Sequence, residues 1–163
     1  MSLPALLAVA AVLAAAAAPP PPGSPADQPA KEVTTMTAEQ TEAIAAAMKC
    51  LDDFMAAFNA RDVKAFEATF NFPSIRIASG KVAIIEPGYH KPELFGTGAL
   101  TEWDHSAWER REVVHAGPDK VHIDTRFSRY RKDGSLIGGF DSIYVVTKVD
   151  GHWGVQARSS FAP

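Results

Sequence analysis

The stretch FMAAFNARDVKAFEATF, Phe54 to Phe70, decides how this chain folds. Its first part closes a long helix. Apolar residues recur behind it at Ile44, Met48, Leu51, Met55 and Phe58, with Ala47 and Phe54 beside the stripe. Steps of three or four residues are the spacing of one buried helical face. Thr37 fits as the N-cap, with Gln40 in the capping-box place three residues on. Asn59-Ala60-Arg61-Asp62 breaks the helix, and Asp62 can cap the next one. That second helix is predicted to be short, with Val63, Phe66 and Phe70 on its buried face and Pro73 at its end, since proline cannot continue a helix.

Past Pro73 the apolar period falls from near 3.6 to 2. Ser74–Ala78 alternates as a strand, with Ile75 and Ile77 on one face. Ser79-Gly80 reads as a turn and Lys81–Glu86 as a second strand. Pro87–Thr97, rich in Gly and Pro, reads as loop, and Leu100–His105 as a short helix or a loop carrying Trp103. Four longer strands are predicted at Ala107–His115, Lys120–Arg131, Leu136–Val149 and His152–Phe161. The Asp133-Gly134 and Asp150-Gly151 pairs are strong hairpin signals. Helices followed by hairpin-linked strands imply an α+β domain with an antiparallel sheet.

The 163 residues, 47% hydrophobic, suit one domain with a sizeable core. With 16 Lys and Arg against 19 Asp and Glu, nothing suggests a nucleic-acid partner. The single cysteine, Cys50, cannot form an internal disulfide or a cysteine-rich zinc site. No metal-ligand spacing, no Gly-rich nucleotide loop and no GxSxG elbow occurs, so neither a metal nor a cofactor is expected. Residues 1–18 read as an export signal. The apolar run Leu3–Ala18 is followed by Pro19–Pro22, with Ala15 and Ala17 at the cleavage region, although no Lys or Arg precedes it. The run is about 16 residues, short of the ~20 that span a bilayer. A periplasmic or secreted protein is expected, or a cytoplasmic one if this segment is not a signal, with no stable membrane span after processing. Residues 19–35 read as a disordered Pro/Ala linker and 36–163 as the folded domain.

From Phe54–Phe70 and the ending DGHWGVQARSSF, the chain resembles the nuclear transport factor 2-like superfamily, which includes SnoaL-like cyclases and steroid delta-isomerases. The resemblance covers about residues 38–162. It implies a cone-shaped, curved, mixed or antiparallel sheet wrapped round the N-terminal helices, a cystatin-like roll. It also implies a cavity for a small apolar or amphipathic ligand, and often a homodimer through the sheet. The superfamily holds both enzymes and binding domains, so the fold alone does not choose between them.

Placed on the isomerase pattern, the tyrosine position falls on Phe54 and the base position on Ala78. Neither can serve in proton transfer. The remaining acid position falls on Asp141, in the strand GGFDSIYVV. Asp141 is the best single catalytic candidate, expected on the concave face beside Ile143 and Val145; the alternatives are pairing with an arginine or a place at the wet rim. Phe54, Arg76, Trp103, His105, Trp108, Asp141 and Ile143 are the expected pocket residues. Arg76 offers a fixed charge to an anion, although a solvent-facing position is also open to it. His90 is expected at the surface. His122, Asp124, Arg126, Ser128 and Tyr130 share a polar face toward solvent or a partner. The leading expectation is a ligand-binding domain without a clear catalytic constellation. The alternatives are an acid/base enzyme of isomerase, dehydratase or cyclase type using Asp141, and a dimeric interaction module using the open sheet face.

Overall fold

The computed structural model describes residues 35–163, so the predicted signal segment and all of the linker but Thr35 lie outside the described residues. Helix α1 (Ala38–Ala60) and the short α2 (Val63–Glu67) precede six strands: β1 (Phe70–Ala78), β2 (Lys81–Ile85), β3 (His105–Ala116), β4 (Lys120–Tyr130), β5 (Leu136–Val149) and β6 (His152–Ser160). Two single 3₁₀ turns, Pro92–Leu94 and Gly98–Leu100, punctuate the segment between β2 and β3.

The capping box forms as the sequence implies. Gln40 N–H donates to Thr37 Oγ1 at 3.1 Å, and Thr37 N–H donates to Gln40 Oε1 at 2.9 Å. At the other end Arg61 adopts a left-handed conformation (φ 58°), which turns the chain out of α1. Asp62 then caps α2 through Ala65 N–H at 2.9 Å. The buried face of α1 is rotated from the expected stripe. Ala43, Ala47, Cys50, Leu51, Phe54 and Ala57 are buried, while Ile44, Met48 and Phe58 flank them. Small alanines let the helix approach the sheet closely, and larger side chains seal the sides.

The sheet order is β2-β1-β6-β5-β4-β3, open at both edges. Strands β3 to β6 form antiparallel hairpins, whereas β1 runs parallel to β6. Phe70 and Pro73 correct the sequence expectation, since both belong to β1 and not to the second helix. The β1–β6 register shifts between Phe70 and Ile75, across the proline that has no N–H for the ladder. The chain enters β1 against Gly154, where a Cβ would stand 2.6 Å from Asn71 N and Phe70 C. Only glycine fits that approach.

Helix α1 lies across one face of the sheet, touching β3, β4, β5 and β6. Leu51, Val121, Ile123, Val146 and Val155 are fully enclosed there, each worth about 1.5–3 kcal/mol of transfer free energy. The inner face thus carries Val121, Ile123, Thr125, Phe127 and Arg129 from β4, and Ser142, Tyr144 and Val146 from β5. The alternating residues of β4, His122 to Tyr130, face outward.

Candidate functional site

Where the far end of α1 meets α2, β1 and the β2–β3 segment, the core opens into a cavity of about 360 Å³. One wall is aromatic. Phe54, Phe58, Phe66 and Phe70 line it, with Phe54 4.8 Å from Phe66 and Phe66 5.1 Å from Phe70, ring centre to ring centre. Leu94 and Thr97–Leu100 close over it from the β2–β3 segment. The sheet also contributes Arg76, Arg129 and Arg158 to the lining, with Ser74 beside them.

The three arginines come from three strands. Arg76 and Arg158 are register partners on the parallel pair β1 and β6, and like charges side by side on one sheet face are destabilising. Arg129 sits at the end of the inner face of β4 and is only 6% exposed. Its guanidinium lies 5.2 Å from the Phe140 ring, and that of Arg158 lies 5.2 Å from both the Phe127 and Tyr144 rings. Arg158 Nη2 donates to Ser160 Oγ at 3.0 Å. Nε of Arg129 and Nε of Arg158 are both buried without a hydrogen-bond partner. Among the described residues, no carboxylate pairs with any of the three; every arginine ion pair uses Arg110, Arg111, Arg126 or Arg131. Burial, then the nearby Arg158 and Arg76 charges, push Arg129 below its ordinary value to about 10. Burial and Arg158 lower Arg76 likewise. Burial raises the enclosed Tyr144 phenol, against the pull of the three arginines.

His90 lies at the cavity's edge, packed on Phe66 and Phe70 at 4.9 and 5.2 Å. Glu67 anchors this corner by accepting Gly88 N–H at 2.8 Å and His90 N–H at 2.9 Å. Desolvation acts to raise the Glu67 carboxyl, but those two N–H donors outweigh it and hold the group below its ordinary value. The His90 ring is lowered by burial, opposed by Glu67 and reinforced by Arg76. Its Nδ1 stands 3.3 Å from Glu67 Oε1, without hydrogen-bond alignment.

A family model described as NTF2-like protein (DUF6841) matches residues 99–160, the stretch that holds β3 to β6. Solved structures share the architecture. A ketosteroid isomerase-like protein from Erwinia carotovora atroseptica is 19% identical, with TM-score 0.56 over 74% of this chain and 95% of that one. A protein of unknown function with a cystatin-like fold from Nostoc punctiforme is 16% identical, with TM-score 0.60 over 78% and 94%. The fold is nuclear transport factor 2-like. An NTF2-like protein with a cystatin-like fold from Novosphingobium aromaticivorans is only 9% identical, yet reaches TM-score 0.62 over 75% and 82%. No curated protein matches the chain.

Within this nuclear transport factor 2-like domain the expected pocket residues separate into three groups. Phe54 and Arg76 line the cavity. Trp103 and Trp108 are packing residues near it. Trp103 is buried against Phe58 and Phe95 and donates to Ser106 Oγ at 2.9 Å; Trp108 packs on Phe127 and Tyr144 and donates to Leu51 O at 3.3 Å. His105, Asp141 and Ile143 lie away from the cavity. His105 stacks on Tyr130 at 5.1 Å and contacts Asp104 at 3.0 Å, half-exposed. Asp141 and Ile143 correct the expected concave placement. Ser142, Tyr144 and Val146 point inward, so the residues between them point out, and Ile143 is 42% exposed. On that outer face Asp141 accepts from Arg126 Nη1 at 2.9 Å and Arg110 Nη2 at 3.4 Å. The pairing with arginine, weighed as an alternative, is the arrangement found. Ala78, at the isomerase base position, is buried in β1 and carries no acid. His90 reverses the surface expectation.

Sequence reasoning missed Arg129 and Arg158. Arg129 was within reach of it, since Val121, Ile123, Thr125, Phe127 and Arg129 alternate on one face. Arg158 was hidden by a register shift. Val146 pairs with Val155 but Val145 pairs with Ala157, so Gln156 is an extra residue that reverses the parity of β6.

Proposed function

We propose that this domain binds a small amphipathic molecule in the cavity between the phenylalanine wall and the sheet. The observation that carries the reading is the cavity itself, about 360 Å³ and walled by four phenylalanines on one side. Its size lies in the range of sites for small ligands, and apolar walls with a few placed polar groups are their usual chemistry. An acid/base reaction by Asp141 is not part of this reading, because its carboxylate lies on the other face between two arginines. The test is an NMR titration with a neutral aromatic probe, 2-naphthamide. Saturable shifts at Phe58, His90, Leu94 and Ala99 are expected. No saturation with this probe or with its carboxylate analogue 2-naphthoate, or shifts confined to the outer face, would sink it.

A second reading concerns that outer face. Ile75 pairs with Ile84 and Ile77 with Val82 across β1 and β2, and Ile143 lies two strands away. All five are exposed, Val82 by 69% and Ile84 by 65%. Contiguous exposed apolar surface favours association, and we assign it to a second copy of the chain. Tyr144 has no part in it, being enclosed in the core. Light scattering should show a dimer that Ile84→Arg converts to monomer; a wild-type monomer at high concentration rules it out. No helix among the described residues is long and apolar enough to cross a membrane. Export belongs to the proposal on the strength of Leu3–Ala18, and a mature N-terminus near Ala18 is its test.

A further inference from the structure

We infer that the ligand of this cavity is an organic anion, with its oxyanion head on Arg76, Arg129 and Arg158 and its apolar body on the phenylalanine wall. The inference rests on the cavity being a binding site and adds the charge of what it takes.

Three positive charges gather at the cavity, and among the described residues no carboxylate lies within ion-pair distance of them. The rest of the fold behaves differently. On the outer face Arg110 pairs with Asp124 at 2.9 Å, and Arg126 with Asp141 and Glu109 at 2.9 Å each. Arginines elsewhere in this sheet are neutralised, and those at the cavity are not.

Two details argue against a purely structural role. A buried arginine kept for packing has its donors filled, because an unmade hydrogen bond at a buried charged group is expensive. Here Nε of Arg129, on a residue 94% buried, has no partner, and neither has Nε of Arg158. Arg76 and Arg158 also stand side by side in register, a repulsion that gains nothing inside the free protein. The uncompensated charge and the in-register repulsion are relieved by one event, the arrival of an anion whose oxygens accept from the guanidinium groups lining the cavity. Arginine suits this role because its planar fork matches carboxylate, sulfonate and phosphate oxygens in pairs. The neutral, lowered His90 at the cavity's edge leaves the arginines as the binding charges at neutral pH.

The site also orients its ligand. The arginines enter from three strands, and the phenylalanines from α1, α2 and the start of β1. A molecule with a flat or extended apolar part and one terminal oxyanion satisfies both walls. A neutral apolar molecule satisfies one wall and leaves the charges bare.

The experiment compares probes of one shape by calorimetry on the full domain: 2-naphthoate, 2-naphthalenesulfonate and 2-naphthyl phosphate against 2-naphthamide. At least one anion should bind tenfold or more tightly than the amide, a difference of about 1.4 kcal/mol. The tightest of the three identifies the head group. In Arg129→Met and in Arg158→Gln the preference should fall toward unity while the amide still binds. Arg126→Gln, on the outer face, should leave the preference unchanged. Equal binding of anions and amide by the wild type overturns the anion assignment and leaves the cavity standing. Binding of none of the four overturns the cavity reading itself. A preference that survives loss of both Arg129 and Arg158 overturns the placement of the head.

Discussion

Replacing Arg129 by methionine should make the ligand-free protein more stable, although the residue is 94% buried. Truncating an enclosed side chain ordinarily destabilises. Here the side chain brings an unbalanced charge with it. Lowering the guanidinium from its ordinary value to about 10 corresponds to roughly 3 kcal/mol against the charged form, at about 1.4 kcal/mol per pH unit. Methionine keeps an unbranched apolar stem of similar reach. It loses the contacts of the cation with Phe127 and Phe140, at 5.7 and 5.2 Å, together worth about 1–2 kcal/mol. The balance is a gain of about 1–2 kcal/mol, or several degrees in Tm for a domain of this size. The sign with pH follows. The folded chain holds this proton less tightly than the unfolded chain, so the cost is fully present below pH 10. It is relieved as pH rises above 10. The advantage of the variant should therefore be constant near neutrality and shrink above pH 10. Urea unfolding without added ligand is the assay, with equal m-values showing that the same unit unfolds. A midpoint that falls by an amount equivalent to about 2 kcal/mol or more would refute the reasoning. It would show that the charge supports the fold.

Gly154→Ala should lower the urea midpoint sharply, by about 1–3 kcal/mol or more, because its Cβ would meet the backbone of Phe70 and Asn71 at 2.6 Å; an unchanged midpoint would show that β1 can shift freely. Cys50 should react with a thiol reagent only on unfolding, since burial pushes its thiol up to about 12; stoichiometric labelling of the native protein in minutes would contradict this. Asp141→Asn should change stability by less than about 1 kcal/mol, as a half-exposed ion pair on the outer face, and should leave probe affinity unaltered.

The fold was largely legible in the sequence, and the cavity only in part. The capping box at Thr37 and Gln40, the break at Asn59–Asp62 and the Asp-Gly hairpins are local signals, and each held. The α1 face was misjudged because bulk was weighted over approach: alanines lie at its centre and Ile44 and Met48 at its margin. Pro73 was read as a helix stop because its neighbours gave no sign of a parallel partner 80 residues on. Asp141 was placed by its position in the isomerase pattern and not by the parity of β5, whereas Arg158 has a deeper cause. Which face a strand residue occupies depends on its pairing register, and one extra residue inverts it. The β6 bulge at Gln156 leaves no local mark. Arg129 differs, because an arginine continuing an apolar alternation was visible and called for an explanation.

The most direct measurement is a crystal structure of the domain with 2-naphthoate bound. The account predicts the ring against Phe54, Phe58, Phe66 and Phe70. It predicts the carboxylate at charge-assisted hydrogen-bond distance, about 2.7–2.9 Å, from Arg129 and Arg158. A ring on the outer face, or a carboxylate turned away from all three arginines, would contradict it.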